Sequence, residues 1–276
     1  MSSQESKAAV FRALHERAQP FLIPNPWDRG SALILESMGF EALATTSLGL
    51  ANMLGQRDVT LRQVLDNCRE ICDATSLPVN ADLENCFADD PREAARAIRL
   101  ACEHGAVGGS IEDSTGDAAR PIYDFSLAVE RVQVAVEVAR SLPVPFMLTA
   151  RAENFLHGRR DMDDTIRRLQ AFEAAGADVL YAPGLHSLAE IRTVTSALSK
   201  PFNLVMGFAD PAITLDQLGE AGVRRVSIGG GLNRVALKAF MDAARQMREG
   251  KFGFIQSMAP ISELRGAFAR PAKAKN

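Results

Sequence analysis

Two carboxylates set two residues apart, in the stretch PVNADLENCF at residues 78–87, are the first sign of chemistry in this chain. The stretch opens like a strand, and residues two apart in a strand face the same way. On one face, Asp82 and Glu84 would repel each other unless a cation lay among them. Other polar residues recur at the ends of apolar runs. Asn25, Trp27 and Asp28 follow FLIP, and Thr45, Thr46 and Ser47 end EALATTS. Glu112 and Asp113 end AVGGSIED, while Arg151 and Glu153 end PFMLTARAE. Oxygen donors of this kind suit Mg2+ or Mn2+, hard cations that keep part of their water shell. The fork of Arg151 matches a carboxylate, and the hydroxyls and amides around Thr46 and Ser47 could hold a second one. Such a set, with no reactive cysteine, suits a reaction through an enolate whose oxyanion the cation and Arg151 stabilise. The bland alternative is an exposed Asp-x-Glu pair beside a structural Glu112–Arg151 ion pair.

These residues need a scaffold that brings strand ends together. Eight short apolar runs occur, at 21–24, 41–47, 78–84, 106–113, 145–153, 178–184, 201–207 and 223–231. They alternate with segments of helical period such as LRQVLDNCREICDAT and DPREAARAIRLACEHG. Asp90 before Pro91 and Asp161 read as helix starts, and Gly105 and Gly176 as helix ends. Eight such units fit an α/β fold of the (β/α)8 barrel type better than an open doubly wound sheet. The reading is a single domain over 1–276, with the barrel core at about 20–248. Residues 1–20 form an extra N-terminal helix and residues 249–276 a C-terminal helical extension that packs on the barrel or on a partner subunit. In this fold, chemistry sits at the C-terminal strand ends, where the polar residues above collect.

The 276 residues carry a net charge of −3 and 47% hydrophobic residues, a soluble globular balance. No basic run precedes the tail ARPAKAKN, which argues against nucleic acid as a partner. The N-terminus lacks a signal-peptide core and no apolar run reaches membrane-spanning length, so a cytoplasmic protein with no membrane partner is expected. Cys68, Cys72, Cys86 and Cys102 read as small core residues, and the four histidines are too scattered for a zinc site. Trp27 reads as barrel-rim packing or a substrate contact, and His157 as a solvated loop residue.

At these positions the chain resembles the isocitrate lyase/phosphoenolpyruvate mutase superfamily, over roughly residues 20–240. The segments that carry the likeness are IPNPWDRGSALILESMGFEAL, ATTSLGLANMLGQRD, VNADLEN, GSIED and TARAENFLHG. The resemblance implies a (β/α)8 barrel whose C-terminal helix is swapped between subunits of a homodimer or homotetramer. It also implies Mg2+ and cleavage of C–C or P–C bonds beside a 2-oxo or 2-hydroxy acid. It assigns Asp82, Glu84 and Glu112 to the metal, partly through water. Thr46, Ser47 and Leu48 would bind the substrate carboxylate. Arg151, Glu153 and Glu112 would be catalytic, with Asp58 near the metal shell.

Two departures narrow the activity. The family lyases carry a lid with a Lys-Lys-Cys-Gly-His motif, whereas EDSTGDAARPIYDF here has no cysteine, histidine or lysine. The family's Gly-Tyr-Gly after the acidic motif is Cys86-Phe87-Ala88 here, which puts the shape of that loop in question. Decarboxylation of an oxaloacetate-like 2-oxo diacid asks least of the lid and is favoured. The alternatives are cleavage of a substituted malate, a phosphonopyruvate-type or isocitrate or methylisocitrate lyase-like enzyme, and a catalytically weak 2-oxo acid binding protein. A sugar-phosphate barrel enzyme is a further rival, resting on Gly229-Gly230-Gly231 after the last strand.

Overall fold

Each of the eight apolar runs contains a strand in the computed structural model, which describes residues 3–269. They are β1 (Phe21–Ile23), β2 (Leu43–Ala44), β3 (Val79–Ala81), β4 (Gly108–Glu112), β5 (Met147–Arg151), β6 (Val179–Tyr181), β7 (Phe202–Val205) and β8 (Val223–Ser227). Neighbours pair in parallel, and β1 returns to β8 with Phe21 opposite Arg225. The remaining seam is held where the Ala44 N–H donates to the Pro24 carbonyl at 3.1 Å. This is the expected (β/α)8 barrel. Strands covered on both sides read as apolar runs rather than as alternations, which is why they stand out in the sequence.

The helices are α1 (Gln4–His15), α2 (Arg29–Ser37), α3 (Ser47–Leu54), α4 (Leu61–Ala74), α5 (Pro91–Glu103), α6 (Phe125–Ser141), α7 (Met162–Ala174), α8 (Leu188–Ser196), α9 (Leu215–Glu220), α10 (Gly231–Arg248) and α11 (Ile261–Phe268). The Asp90 carboxylate accepts the Arg92 and Glu93 N–H groups at 2.9 and 3.1 Å, and Asp161 accepts that of Asp164 at 2.9 Å. The caps therefore fall where the sequence put them. Between α5 and α6 the buried face is built from alanines, including Ala94, Ala101, Ala128 and Ala135, so the two axes approach closely. Filling that face with larger side chains would force strain of roughly 1–3 kcal/mol.

The N-terminal helix forms the floor of the barrel. Phe11 and Leu14 are fully buried there, and the His15 ring meets Phe11 and Phe21 edge-on at 4.7 and 4.9 Å. Gly108 on β4 is required by this plug, because a Cβ there would stand 2.8 Å from Phe11 Cε1. Gln4 Nε2 donates to the Cys102 and Ala106 carbonyls, and Lys7 Nζ to those of Cys72 and Thr75, capping the end of α4. The C-terminal extension is a 3₁₀ turn at Gly253–Ser257 followed by α11, which lies against α2 of its own chain. The rest of the extension, 270–276, lies outside the described residues. No helix among the described residues is long and apolar enough to cross a membrane.

Candidate active site

The opening expectation about Asp82 and Glu84 needs correction. β3 ends at Ala81, so neither carboxylate stands on a strand, and Glu84 has φ +49°. Asp82 follows the strand directly and Glu84 opens the turn at 84–87, so strand alternation does not place them on one face. Their mutual repulsion persists, since burial and then the charge of Asp82 raise the Glu84 pKa above its ordinary value.

The loop after them keeps a left-handed course without glycine. Cys86 and Phe87 have φ +60° and +58°, a region costly for L-residues. Arg131, buried on α6, holds this course from below. Its Nη2 donates to the Asn85 carbonyl at 2.5 Å, and its Nη1 to the carbonyls of Ala88 and, at 2.8 Å, Asp89. The Asn85 side chain accepts the Phe87 N–H at 2.9 Å. The Cys86 thiol is buried against the Ser110 carbonyl and pushed up to about 12 by that burial. It is a packing residue, as expected, and not a nucleophile.

Arg151, at the end of β5, organises the mouth. Its three nitrogens reach three different carboxylates: Nε to Glu153 at 2.8 Å, Nη1 to Asp82 at 3.2 Å and Nη2 to Glu112 at 3.1 Å. The Tyr181 ring lies 4.8 Å from its guanidinium carbon, a cation–π contact. Burial works against the charge on Arg151, but the surrounding Glu153, Glu112 and Asp82 outweigh it and hold the group well above its ordinary pKa. Burial also lifts the Glu112 carboxyl well above its ordinary pKa, with Arg151 opposing the shift. The other oxygen of Asp82 accepts the Ser47 N–H and hydroxyl, each at 2.9 Å. Behind these, Asp113 accepts the Glu153 N–H at 2.8 Å and pairs with Arg168 at 3.1 Å, so its role is to fix Glu153.

Above Arg151 lies a cavity of about 380 Å³. Thr46, Ser47, Leu48, Asp82, Glu84, Glu112, Arg151 and Glu153 are all on its wall, as is His157. Thr46 is spent as the cap of α3, its hydroxyl accepting the Gly49 N–H at 3.2 Å. Ser47 is engaged with Asp82, so the Leu48 N–H is left as a donor without an intrahelical acceptor. Trp27 and Asp58 are not on the wall. Trp27 packs beneath α3, where a Cβ on Gly49 would stand 3.0 Å from its own Cβ. Asp58 is exposed beside Arg57 and touches the site only through its charge on Glu84. Tyr181 and Arg234 are wall residues that the strand-end reading passed over.

The loop that follows β4 is short and folded on itself. Ser114 and Ile122 form an antiparallel bridge, and the Thr115 N–H donates to the Pro121 carbonyl at 3.0 Å. No thiol, imidazole or ammonium stands on it.

The sequence profile of the family described as phosphoenolpyruvate phosphomutase matches residues 11–248. The chain belongs to this family. It is thereby a member of the isocitrate lyase/phosphoenolpyruvate mutase superfamily. It is 30% identical over 233 residues to a 2-methylisocitrate lyase of Escherichia coli K12, covering 80% of this chain and 77% of that one. It is 29% identical over 252 residues to an oxaloacetate decarboxylase of Bradyrhizobium diazoefficiens, covering 87% and 82%. A crystal structure from Burkholderia cenocepacia J2315, named only by the class lyase/mutase, superposes with a TM-score of 0.94 at 54% identity and covers 97% of each chain. These relatives place this phosphoenolpyruvate mutase family member among lyases and related enzymes.

Among the described residues, no three histidine, cysteine, aspartate or glutamate side chains stand close enough to hold an ion directly. The chemistry of the donors nevertheless fits a hard cation. Asp82, Glu84 and Glu112 offer only oxygen; burial raises the proton affinity of Glu84 and Glu112, and the neighbouring carboxylates, whose repulsion a cation would relieve, add to it. A cation that keeps most of its water and needs one or two carboxylates suits such a mouth.

Proposed function

We propose that this protein is a Mg2+- or Mn2+-dependent carbon–carbon lyase that decarboxylates a small 2-oxo dicarboxylate of the oxaloacetate type. The observation that carries this reading is Arg151, a guanidinium joined to three carboxylates at the floor of an open cavity. The Leu48 N–H and the start of α3 would hold the substrate's carboxylate next to its 2-oxo group. Arg151 would then face the 2-oxo oxygen. Departure of CO2 leaves the electron pair as an enolate, and Arg151 stabilises the oxyanion in a largely water-excluded floor. A divalent cation held by Asp82, Glu84 and Glu112, in part through water, would supply Lewis-acid polarisation of the carbonyl. Glu153 and Glu112 keep Arg151 charged and aimed. The enolate would take its proton from solvent, because the loop after β4 carries no cysteine, histidine or lysine and the Cys86 thiol is buried. The same lack of a thiol weighs against a methylisocitrate lyase-type cleavage, although one relative has that activity. The expected homo-oligomer finds support in apolar side chains left exposed toward the C-terminus, Val235, Phe240, Phe252 and Ile261 among them.

The test is turnover with Mg2+ and with EDTA against oxaloacetate, isocitrate, methylisocitrate, dimethylmalate and phosphonopyruvate. Metal-dependent pyruvate from oxaloacetate is expected, lost in Asp82→Ala. Succinate from either isocitrate would overturn the acid-free reading. Oxalate binding without any product would make the protein a binding protein.

A further inference from the structure

Beneath Arg151, inside the barrel, a second arginine has no carboxylate partner among the described residues. Arg225 on β8 is 4% exposed. Its Nε donates to Asn203 Oδ1 at 2.7 Å and its Nη2 to Thr149 Oγ1 at 3.0 Å. Its Nη1 lies 3.5 Å from His15 Nε2. The His15 Nδ1 is 2.8 Å from the Phe11 carbonyl, which can only accept, so Nε2 carries the lone pair and serves as the acceptor for Arg225. All three partners are neutral. A guanidinium has five N–H groups, so two remain. Burying a charge without an opposite charge is among the costliest arrangements in a protein.

The barrel interior leaves room for the missing partner. A chamber of about 60 Å³ is lined by Arg225, Asn203, Ser110 and Ser227, by Asn80, whose buried Oδ1 has no hydrogen-bond partner, and by Asp82 and Arg151 toward the mouth. Asp82, the carboxylate on that wall, is already committed to Arg151 and Ser47. Arg151 repels Arg225, and α1 closes the floor. The chamber exceeds the space of one water molecule and is too small for a dicarboxylate together with its hydration. We propose that it is a binding site for a small monovalent anion of the halide type, held by the two free N–H groups of Arg225. This site adjoins the mouth, with which it shares Asp82 and Arg151, and goes beyond the reading of the reaction given above.

The experiment compares the wild-type protein in sodium chloride and in sodium gluconate at matched ionic strength, by thermal unfolding, with Arg225→Gln and Arg225→Lys alongside. With chloride at about ten times its Kd, the wild type should melt roughly 2–3 °C higher in chloride. Arg225→Lys should keep a halide response and Arg225→Gln should lose it. If Arg225→Gln fails to fold, crystals of the wild type grown in bromide decide the matter, with an anomalous peak expected beside the Arg225 Nη atoms. An unchanged halide response in Arg225→Gln, or bromide crystals with only water in the chamber, would overturn the proposal.

Discussion

Replacing Arg151 with methionine keeps much of the side-chain volume and removes one charge from among three carboxylates. Asp82 retains its two bonds from Ser47. Glu112 and Glu153 lose the one side-chain partner each has, at side-chain exposures of 14% and 1%. Breaking a buried pair from one side costs about 3–5 kcal/mol. The loss has a ceiling, because a stranded glutamate can take up a proton, at about 4 kcal/mol for a group of ordinary pKa at pH 7.5. That ceiling gives the effect a pH signature. Losing Arg151 removes the charge that opposes the upward shift of Glu112, so that carboxyl rises further and the folded variant binds more protons than the folded wild type. Its stability then falls as pH rises from the ordinary glutamate value toward the raised one, and recovers on acidification. Urea unfolding should show Arg151→Met weaker than wild type by about 3–5 kcal/mol at pH 7.5, and by about 2 kcal/mol less than that at pH 5.5. Arg151→Lys, with one ammonium for three carboxylates, should fall between them. A deficit under about 1 kcal/mol, or one that does not change with pH, would refute the hub reading.

Three further outcomes are expected. Mg2+ affinity should strengthen as pH rises through the elevated pKa values of Glu84 and Glu112, with proton release on binding; calorimetry in two buffers of different ionisation enthalpy checks this. Arg131→Met should strand the carbonyls under the acidic loop, costing about 2–4 kcal/mol in chemical denaturation and weakening Mg2+ binding at the same time. Gly49→Ala should lower stability by roughly 1–3 kcal/mol and weaken oxalate binding, because its Cβ would stand 2.6 Å from Thr46 Cγ2 at the start of α3.

The barrel was legible because strands buried on both faces leave continuous apolar runs, and the mouth was legible because that fold collects chemistry at one end of them. Thr46, Asp82, Glu112 and Arg151 all follow from that rule. Tyr181 also ends a strand, β6, but an aromatic within DVLYAPG reads as packing until Arg151 is seen against its face. Arg234 sits in the first turn of α10 and Arg225 within β8, so neither is a strand-end residue. Within ATTSLGLANMLGQRD, where Thr46, Ser47 and Leu48 are expected to bind the substrate carboxylate, Ser47–Leu54 form the helix α3, capped by Thr46. The shape of Glu84–Phe87 was hidden for another reason: what holds it is Arg131, more than forty residues along the chain, and local φ preferences point the other way.

The floor of the barrel bears on how the chain is made. Phe11 and Leu14 end fully buried, but the ring that encloses them closes only when β1 meets β8, and His15 reaches Arg225 across 210 residues. On the ribosome, α1 must therefore wait for β8. During that interval its apolar face is uncovered, open to chaperones or to neighbouring nascent chains. A chain halted before residue 223 would leave that face uncovered, so α1 and β8 complete the barrel floor together.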